Sequence, residues 1–156
     1  MTPKQVSTKV EEKVSQVEEK VTEEKEVKKP KFDKEELLTI FDEIMFSGEY
    51  REDITIKNRL KITFKTRTAA EVSAMSKEVD GLSFNMIATL HEKRAFLQVV
   101  YSLVNYAGKD ISALDIEKKK DFVGKLPAVV VAALSDALIK FDEKTAAAYL
   151  EGEENF

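Results

Sequence analysis

The sequence predicts a mainly α protein: a helical domain with one antiparallel β-hairpin, preceded by an N-terminal conditional helix or disordered tail. Three observations predict it. Apolar residues recur at helical spacing over most of the chain after residue 32, strict alternation is confined to one stretch, and residues 1–31 contain no aromatic side chain. We expect a charged tail over 1–31, a helical domain over 32–150 with its hairpin at 51–66, and a frayed acidic end over 151–156.

The N-terminal segment carries seven acidic and eight basic residues, so it is a polyampholyte. Within it, Val10-Glu-Glu-Lys-Val14 recurs seven residues later as Val17-Glu-Glu-Lys-Val21, which places the valines at the a and d spacing of a coiled coil. Isolated helices below ~12–15 residues are marginal in water. Two alternatives therefore stay open: a solvated tail, or a helix that forms when its valine stripe meets a partner.

The first helix of the domain is predicted from Asp33, whose carboxylate can cap it in a capping box with Glu36. It ends at Ser47-Gly48, because Gly48 can adopt the left-handed conformation after a last turn. Apolar and polar residues then alternate on both sides of Lys57-Asn58-Arg59. This pattern predicts a hairpin in which Asn58 accepts the positive φ of a tight turn.

One face of the predicted hairpin is cationic along its second strand. Four basic residues form it: Arg59, Lys61, Lys65 and Arg67. One interpretation is a solvated face that prevents edge pairing. The other is a docking surface for an acidic partner or a phosphate backbone, although no aromatic residue lies there to stack bases. The two free edges of a lone hairpin can also accept a strand from another chain.

The remaining pattern is helical. The predicted helices are one from the capping box Thr68/Glu71 to about Val79, a central one from Ser83 to Tyr106 that ends at Gly108, a short one stopping near Gly124, one from Pro127 to about Phe141, and one over Ala146–Leu150. Val72 and Ile139 are expected to face inward. The central helix has too wide an apolar stripe for a surface helix, so we expect it to be mostly buried.

No residue pattern points to catalysis. The chain has no cysteine, its single histidine, His91, lacks any partner at metal-ligand spacing, and no Gly-x-Ser-x-Gly or phosphate-binding loop occurs. We expect no catalytic, cofactor-binding or metal-binding residues, no cofactor and no enzyme. The longest apolar run, Leu126–Leu134, is far shorter than the roughly 20 residues needed to span a bilayer, so no membrane partner is expected.

Three elements have apolar or hydrogen-bonding groups that the chain does not satisfy locally: the valine stripe, the hairpin edges and Phe156. They favour a component of a multi-subunit assembly. The candidate partner-binding residues are Val10, Val14, Val17, Val21, Arg59, Lys61, Lys65 and Arg67.

The layout resembles that of a known group of proteins. A helix ending in Phe46-Ser-Gly-Glu-Tyr50 precedes the hairpin Arg51–Thr68, and helices follow that include Tyr101-Ser-Leu-Val-Asn-Tyr-Ala-Gly108 and Leu126-Pro-Ala-Val-Val-Val131. From Phe32 to about Leu150 this order resembles small tail-morphogenesis proteins of tailed bacteriophages, the tail assembly chaperones and the baseplate-hub proteins encoded near the tape-measure protein. The resemblance transfers no site residue.

The resemblance implies a non-enzymatic protein whose partners are other phage tail or baseplate proteins. Two roles compete: a virion component of the tail tip or baseplate hub, and a transient assembly chaperone that binds the tape-measure protein. The location implied is the host cytoplasm during assembly, or the virion tail. An adaptor of a different class, using the cationic strand to bind nucleic acid or an acidic protein, is the remaining alternative, and its binding should weaken steeply with salt.

Overall fold

The computed structural model describes residues 32–81 and 87–155. The chain divides into two units, Met1–Phe32 and Asp33–Phe156, and every element below belongs to the second. The valines at 10, 14, 17 and 21, the predicted cap Ser83 and the terminal Phe156 lie outside the described residues.

Five helices and one four-stranded sheet make up the described part, which confirms the mainly α class. In chain order they are α1 (Lys34–Ser47), β1 (Arg51–Ile56), β2 (Leu60–Lys65), α2 (Ala69–Val79), α3 (Ile87–Ser102), β3 (Leu103–Tyr106), β4 (Lys109–Asp110), α4 (Ile116–Gly124) and α5 (Ala128–Glu154). The sheet is antiparallel with the order β1-β2-β3-β4.

The hairpin forms where alternation predicts it. Strands β1 and β2 pair from Arg51↔Lys65 to Ile56↔Leu60. Lys57 and Asn58 have φ of 50° and 57°, so the turn places two consecutive residues in the left-handed region. Such turns match the right-handed twist of the flanking strands. The role of Asn58 is confirmed, and Lys57 adopts the same conformation although nothing in its side chain favours it.

Two predictions are wrong, and both fail at Leu103–Tyr106. The central helix does not reach Tyr106, and the hairpin is not alone, because this segment forms a third strand. Helix α3 ends at Ser102, and Leu103–Tyr106 continues directly as β3 along the free edge of β2. Leu103 and Val104 are buried. A buried helix and a buried strand both require apolar residues here, so apolar spacing alone does not separate the two. Pairing with β2 decides, and Gly108, with φ of 84°, lies in the β3–β4 turn rather than capping a helix.

Lys119 of α4 stabilises the junction where α3 becomes β3. The last carbonyl groups of a helix lack intrahelical donors. The Lys119 ammonium donates to the Leu103 carbonyl oxygen at 3.2 Å, and only 5% of this residue is exposed. Burial, and after it the positive charge of Lys65, lowers the pKa of Lys119. The Lys119 side chain therefore has a structural role, as the hydrogen-bond donor to the buried Leu103 carbonyl group.

Aromatic side chains join the apolar face of the sheet to α5. Phe141 stacks on Tyr50 with ring centroids 5.9 Å apart and rings nearly parallel, and it packs at a tilt on Phe64 of β2 at 6.0 Å. The core continues through the second half of α3, the start of β3 and two positions of α5: Leu97, Val99, Val100, Leu103, Leu134 and Leu138. The expected burial of the Ser83–Tyr106 stretch is confirmed for its second half.

Helix α5 runs unbroken from Ala128 to Glu154, so the predicted division near Phe141 and the predicted helix end at Leu150 are both wrong. Residues 151–154, predicted as part of a frayed acidic end, continue the helix. No glycine or proline occurs between Asp142 and Ala148, and alanine is the best helix former. The last turn is held because Gly152 is buried against the Phe41 ring of α1. Ile139, expected to face inward, is 53% exposed.

Only one of the two predicted capping boxes forms. Thr68 and Glu71 make the complete reciprocal arrangement at the start of α2. Asp33 is the N-cap residue of α1 but makes no side-chain cap hydrogen bond, and Glu36 forms an ion pair with Lys144 of α5 instead. Gly48 ends α1 in the left-handed conformation, as predicted. Val72, expected inside, is about half exposed on α2.

Candidate protein-binding surfaces

The four basic residues of the second strand do not form one cationic face. Lys65 is only 8% exposed, and its ammonium lies 2.7 and 2.9 Å from the two carboxylate oxygens of Glu71. Burial opposes the charge on Glu71, but its hydrogen bonds with Lys65 and with the Thr68 backbone outweigh that effect and lower its pKa. One carboxylate thus caps α2 and neutralises Lys65.

Arg67 is likewise bound to other residues of the fold. Its guanidinium donates to the Ser102 hydroxyl at 2.6 Å and to the Asp142 carboxylate at 2.7 Å. These contacts join the end of the hairpin to α3 and α5. Because Lys65 and Arg67 each have an acidic partner within the fold, the predicted surface reduces to Arg59 and Lys61, which are exposed. Partner binding by these two residues stays a prediction.

Acidic residues outnumber basic residues on the two helices α1 and α5, which pack on each other. Together they contain ten acidic and three basic residues. Lys144 lies between Glu36 of α1 and Glu52 of β1, and Lys34 pairs with Glu151 at 3.2 Å. Burial opposes the charge of Lys144, but the hydrogen bonds to Glu36 and Glu52 raise its pKa. Most acids of these helices have no such internal partner and face solvent.

The exposed large apolar side chains are unevenly distributed. Seven are exposed in the described residues, and six of them lie on α1 or α5: Met45, Phe46, Val129, Ile139, Tyr149 and Leu150. Phe46 is the most exposed, at 84%. Single exposed apolar residues are ordinary, but a concentration on one helix pair is typical of a protein-binding surface.

A small cleft lies between α2 and α3. Val72, Met75, Val79 and Leu97 form its apolar wall, and Arg94 and Gln98 lie among its lining residues. Its volume of about 130 Å³ is that of one medium-sized side chain. Nothing adjoining it indicates which group would enter.

The part of the chain that the structure describes holds no group of three or more His, Asp or Glu residues placed to bind a metal ion. His91 is exposed on α3, away from the buried half of that helix. No helix among the described residues is both long and apolar enough to cross a membrane.

Sequence reasoning missed the outer side of α5 as a candidate surface. Splitting this segment into two short helices hid its length, and placing Ile139 inside removed the central apolar residue of its exposed side. The available signal was the absence of any helix-breaking residue between Phe141 and Gly152.

Comparison of the chain with protein-family models, with curated proteins and with solved structures yields no match.

Proposed function

We propose that this protein is a non-enzymatic, protein-binding component of bacteriophage tail or baseplate assembly. The observation that carries the protein-binding role is the concentration of six exposed large apolar side chains on the acidic helices α1 and α5. The phage context comes from the resemblance of Phe32–Leu150 to tail-morphogenesis proteins. The proposed location is the host cytoplasm during assembly, and the virion tail where the protein is retained.

Charge favours a protein partner over nucleic acid. A phosphate backbone is bound through several exposed Lys and Arg side chains. Here Lys65 and Arg67 are neutralised internally, whereas α1 and α5 present acids around their apolar residues. This arrangement supports the assembly role over the nucleic-acid adaptor.

Quantitative mass spectrometry of purified phage particles tests the proposal. The tagged full chain is compared with Phe46→Asp, Ile139→Asp and the control Ser73→Asp, which adds the same charge at an exposed polar position of α2. We expect the wild type and the control to be incorporated equally, and at least one of the two apolar-site variants to be depleted severalfold. All three replaced side chains are exposed, so their melting temperatures should be unchanged.

The two roles give different results in this experiment. A fixed copy number in mature particles supports the virion component. Absence from particles, together with recovery of the chain on the tape-measure protein before tail completion, supports the chaperone. Recovery of the chain on neither fraction contradicts the proposal.

A further inference from the structure

One side of α5 carries a heptad pattern that the fold does not cover. Starting at Val129, steps of three and four residues alternate along the helix as far as Leu150, and every residue reached is exposed. We call this set the outer stripe: Val129, Ala132, Asp136, Ile139, Glu143, Ala146 and Leu150. Alternating steps of three and four are the spacing of a coiled-coil seam.

The outer stripe lies opposite the side of α5 that packs on the protein. Leu134, Leu138, Phe141, Ala148 and Gly152 are the buried positions of the helix. Successive residues turn by about 100°, so Phe141 and Glu143 project from opposite sides. A surface helix normally has one apolar stripe. Helix α5 has a second, in which five of the seven residues are apolar, over about 32 Å.

The charges of the outer stripe select its occupant. Asp136 and Glu143 are seven residues apart, both are exposed, and neither has an ion pair with another described residue. A parallel second copy would place Asp136 against Asp136, and an antiparallel copy centred on Ile139 would place Asp136 beside Glu143. Lys140 adjoins the stripe and offsets one of these acids at most. Like charges facing each other disfavour such pairing, so charge complementarity requires a basic partner.

We propose that the outer stripe of α5 binds an amphipathic helix of a partner protein. That helix has about three heptads with apolar residues at a and d, except at the two seam positions about 10 Å apart that face Asp136 and Glu143, where it has Lys or Arg. This inference rests on the proposed function and specifies the chemistry of the partner.

The test measures binding of the full chain to two labelled synthetic peptides by fluorescence anisotropy at low salt. Both peptides have about three heptads with Leu at every a and d position except the two that face Asp136 and Glu143. One has Lys at the two positions facing Asp136 and Glu143, and the other has Glu there. We expect the Lys peptide to bind about tenfold more tightly than the Glu peptide. The double variant Asp136→Lys/Glu143→Lys should reverse this preference.

Two single variants locate the binding site. Ile139→Asp should weaken binding of the Lys peptide more than tenfold, because it places a charge at the centre of the seam. Phe46→Asp is the matched control, since it introduces the same charge at a more exposed apolar residue of α1, which is not part of the outer stripe. Circular dichroism melting of each variant checks that the fold is retained.

Three results overturn the inference: an unchanged peptide preference in the charge-reversed variant, equal weakening by Phe46→Asp and Ile139→Asp, or a wild-type dimer in sedimentation equilibrium that Ile139→Asp dissociates. Failure here is separable from failure of the proposed function. If Phe46→Asp is excluded from particles while Ile139→Asp is incorporated, the assembly role stands and the outer stripe is not its site. If the peptides discriminate as expected but the chain is found in no assembly fraction, the binding chemistry stands and the phage role falls.

Discussion

The two sides of α5 differ in what they contact, although both are rich in apolar residues. The inner side meets α1, α3 and the sheet, and its Leu138 is 2% exposed. The adjacent Ile139, on the outer side, is 53% exposed. Both sides are rich in apolar residues, but only the inner side is covered by tertiary contacts, and only the outer stripe also contains acidic residues, Asp136 and Glu143. The inner side stabilises the fold, and the outer side is available for a partner.

The largest expected effect comes from the neighbouring pair at the centre of this helix. Leu138→Ala should lower the free energy of unfolding by about 2–5 kcal/mol, because it leaves a cavity in the core. Ile139→Ala should change it by less than about 0.5 kcal/mol, since the side chain makes few contacts and alanine favours helix. Urea denaturation of both variants measures the difference. Similar losses for the two would show that Ile139 is buried in solution.

This comparison also separates what the sequence predicts from what it does not. Local signals placed the turn at Asn58, the complete capping box at Thr68 and the left-handed Gly48, because each depends on residues within one turn. The strand Leu103–Tyr106 was missed, because its pairing partner β2 lies about forty residues earlier in the chain. Periodicity reports that a residue is apolar, and does not report which element covers it.

The candidate site shows the same limit. Arg67 belongs to the cationic pattern of the strand, but its acceptor Asp142 is 75 residues away, and nothing local announces the pair. Alternation along the second strand predicts that Lys65 lies on the cationic face, but Glu71, which completes the cap of α2, also pairs with it. Two ion pairs, one between residues 6 apart and one between residues 75 apart in the chain, thus removed half of the predicted surface. Predicting the outer stripe from the sequence requires only that α5 be continuous. The helix propensity of Asp142–Ala148 does indicate that continuity.

Gly152 provides the next test, at the end of the inner side. A Cβ at this position would overlap the Phe41 ring, so α1 and α5 must move apart to accept it. Gly152→Ala should therefore destabilise the protein by about 1–3 kcal/mol, although alanine normally stabilises a helix by about 1 kcal/mol relative to glycine. Leu150→Ala, two residues away on the outer side, is the control and should be nearly neutral. Thermal unfolding of both variants gives the comparison, and a stabilised Gly152→Ala protein would contradict this packing.

A smaller effect is expected at alkaline pH, through the stack of Tyr50 on Phe141. Burial, and then the negative charge of Glu52, raises the pKa of Tyr50 to about 12. Between the ordinary tyrosine value near 10 and this raised value, the unfolded chain loses the phenol proton while the native protein keeps it. Stability is therefore intact below about pH 10 and falls as the pH rises through 12.

Urea midpoints of wild type and Tyr50→Phe from about pH 9 to pH 12 check this expectation. The wild-type slope should stay well under the ~1.4 kcal/mol per pH unit of a fully shielded group, because Tyr50 is only partly buried. The variant keeps the ring stack but has no phenol, so its slope should be shallower. A residual loss is expected from Lys144, whose raised pKa also makes its contribution disappear at high pH. Equal slopes in the two proteins would remove Tyr50 as a cause.

The smallest effect concerns the N-terminal caps of α2 and of α1, the helix that packs on the inner side of α5. Thr68→Ala should cost about 1 kcal/mol, since the threonine hydroxyl accepts from the Glu71 backbone N–H in a complete capping box. Asp33→Ala should cost only a few tenths of a kcal/mol, because the Asp33 side chain makes no cap hydrogen bond and acts only as a charge near the helix end. Urea denaturation at neutral pH distinguishes the two. The reciprocal half of a box is also missing at α1, because Glu36, the residue that would complete it, is bound to Lys144 of α5. If Asp33→Ala were as costly as Thr68→Ala, a cap would be forming at α1 in solution, and the attachment of α1 to α5 would be weaker than this ion pair indicates.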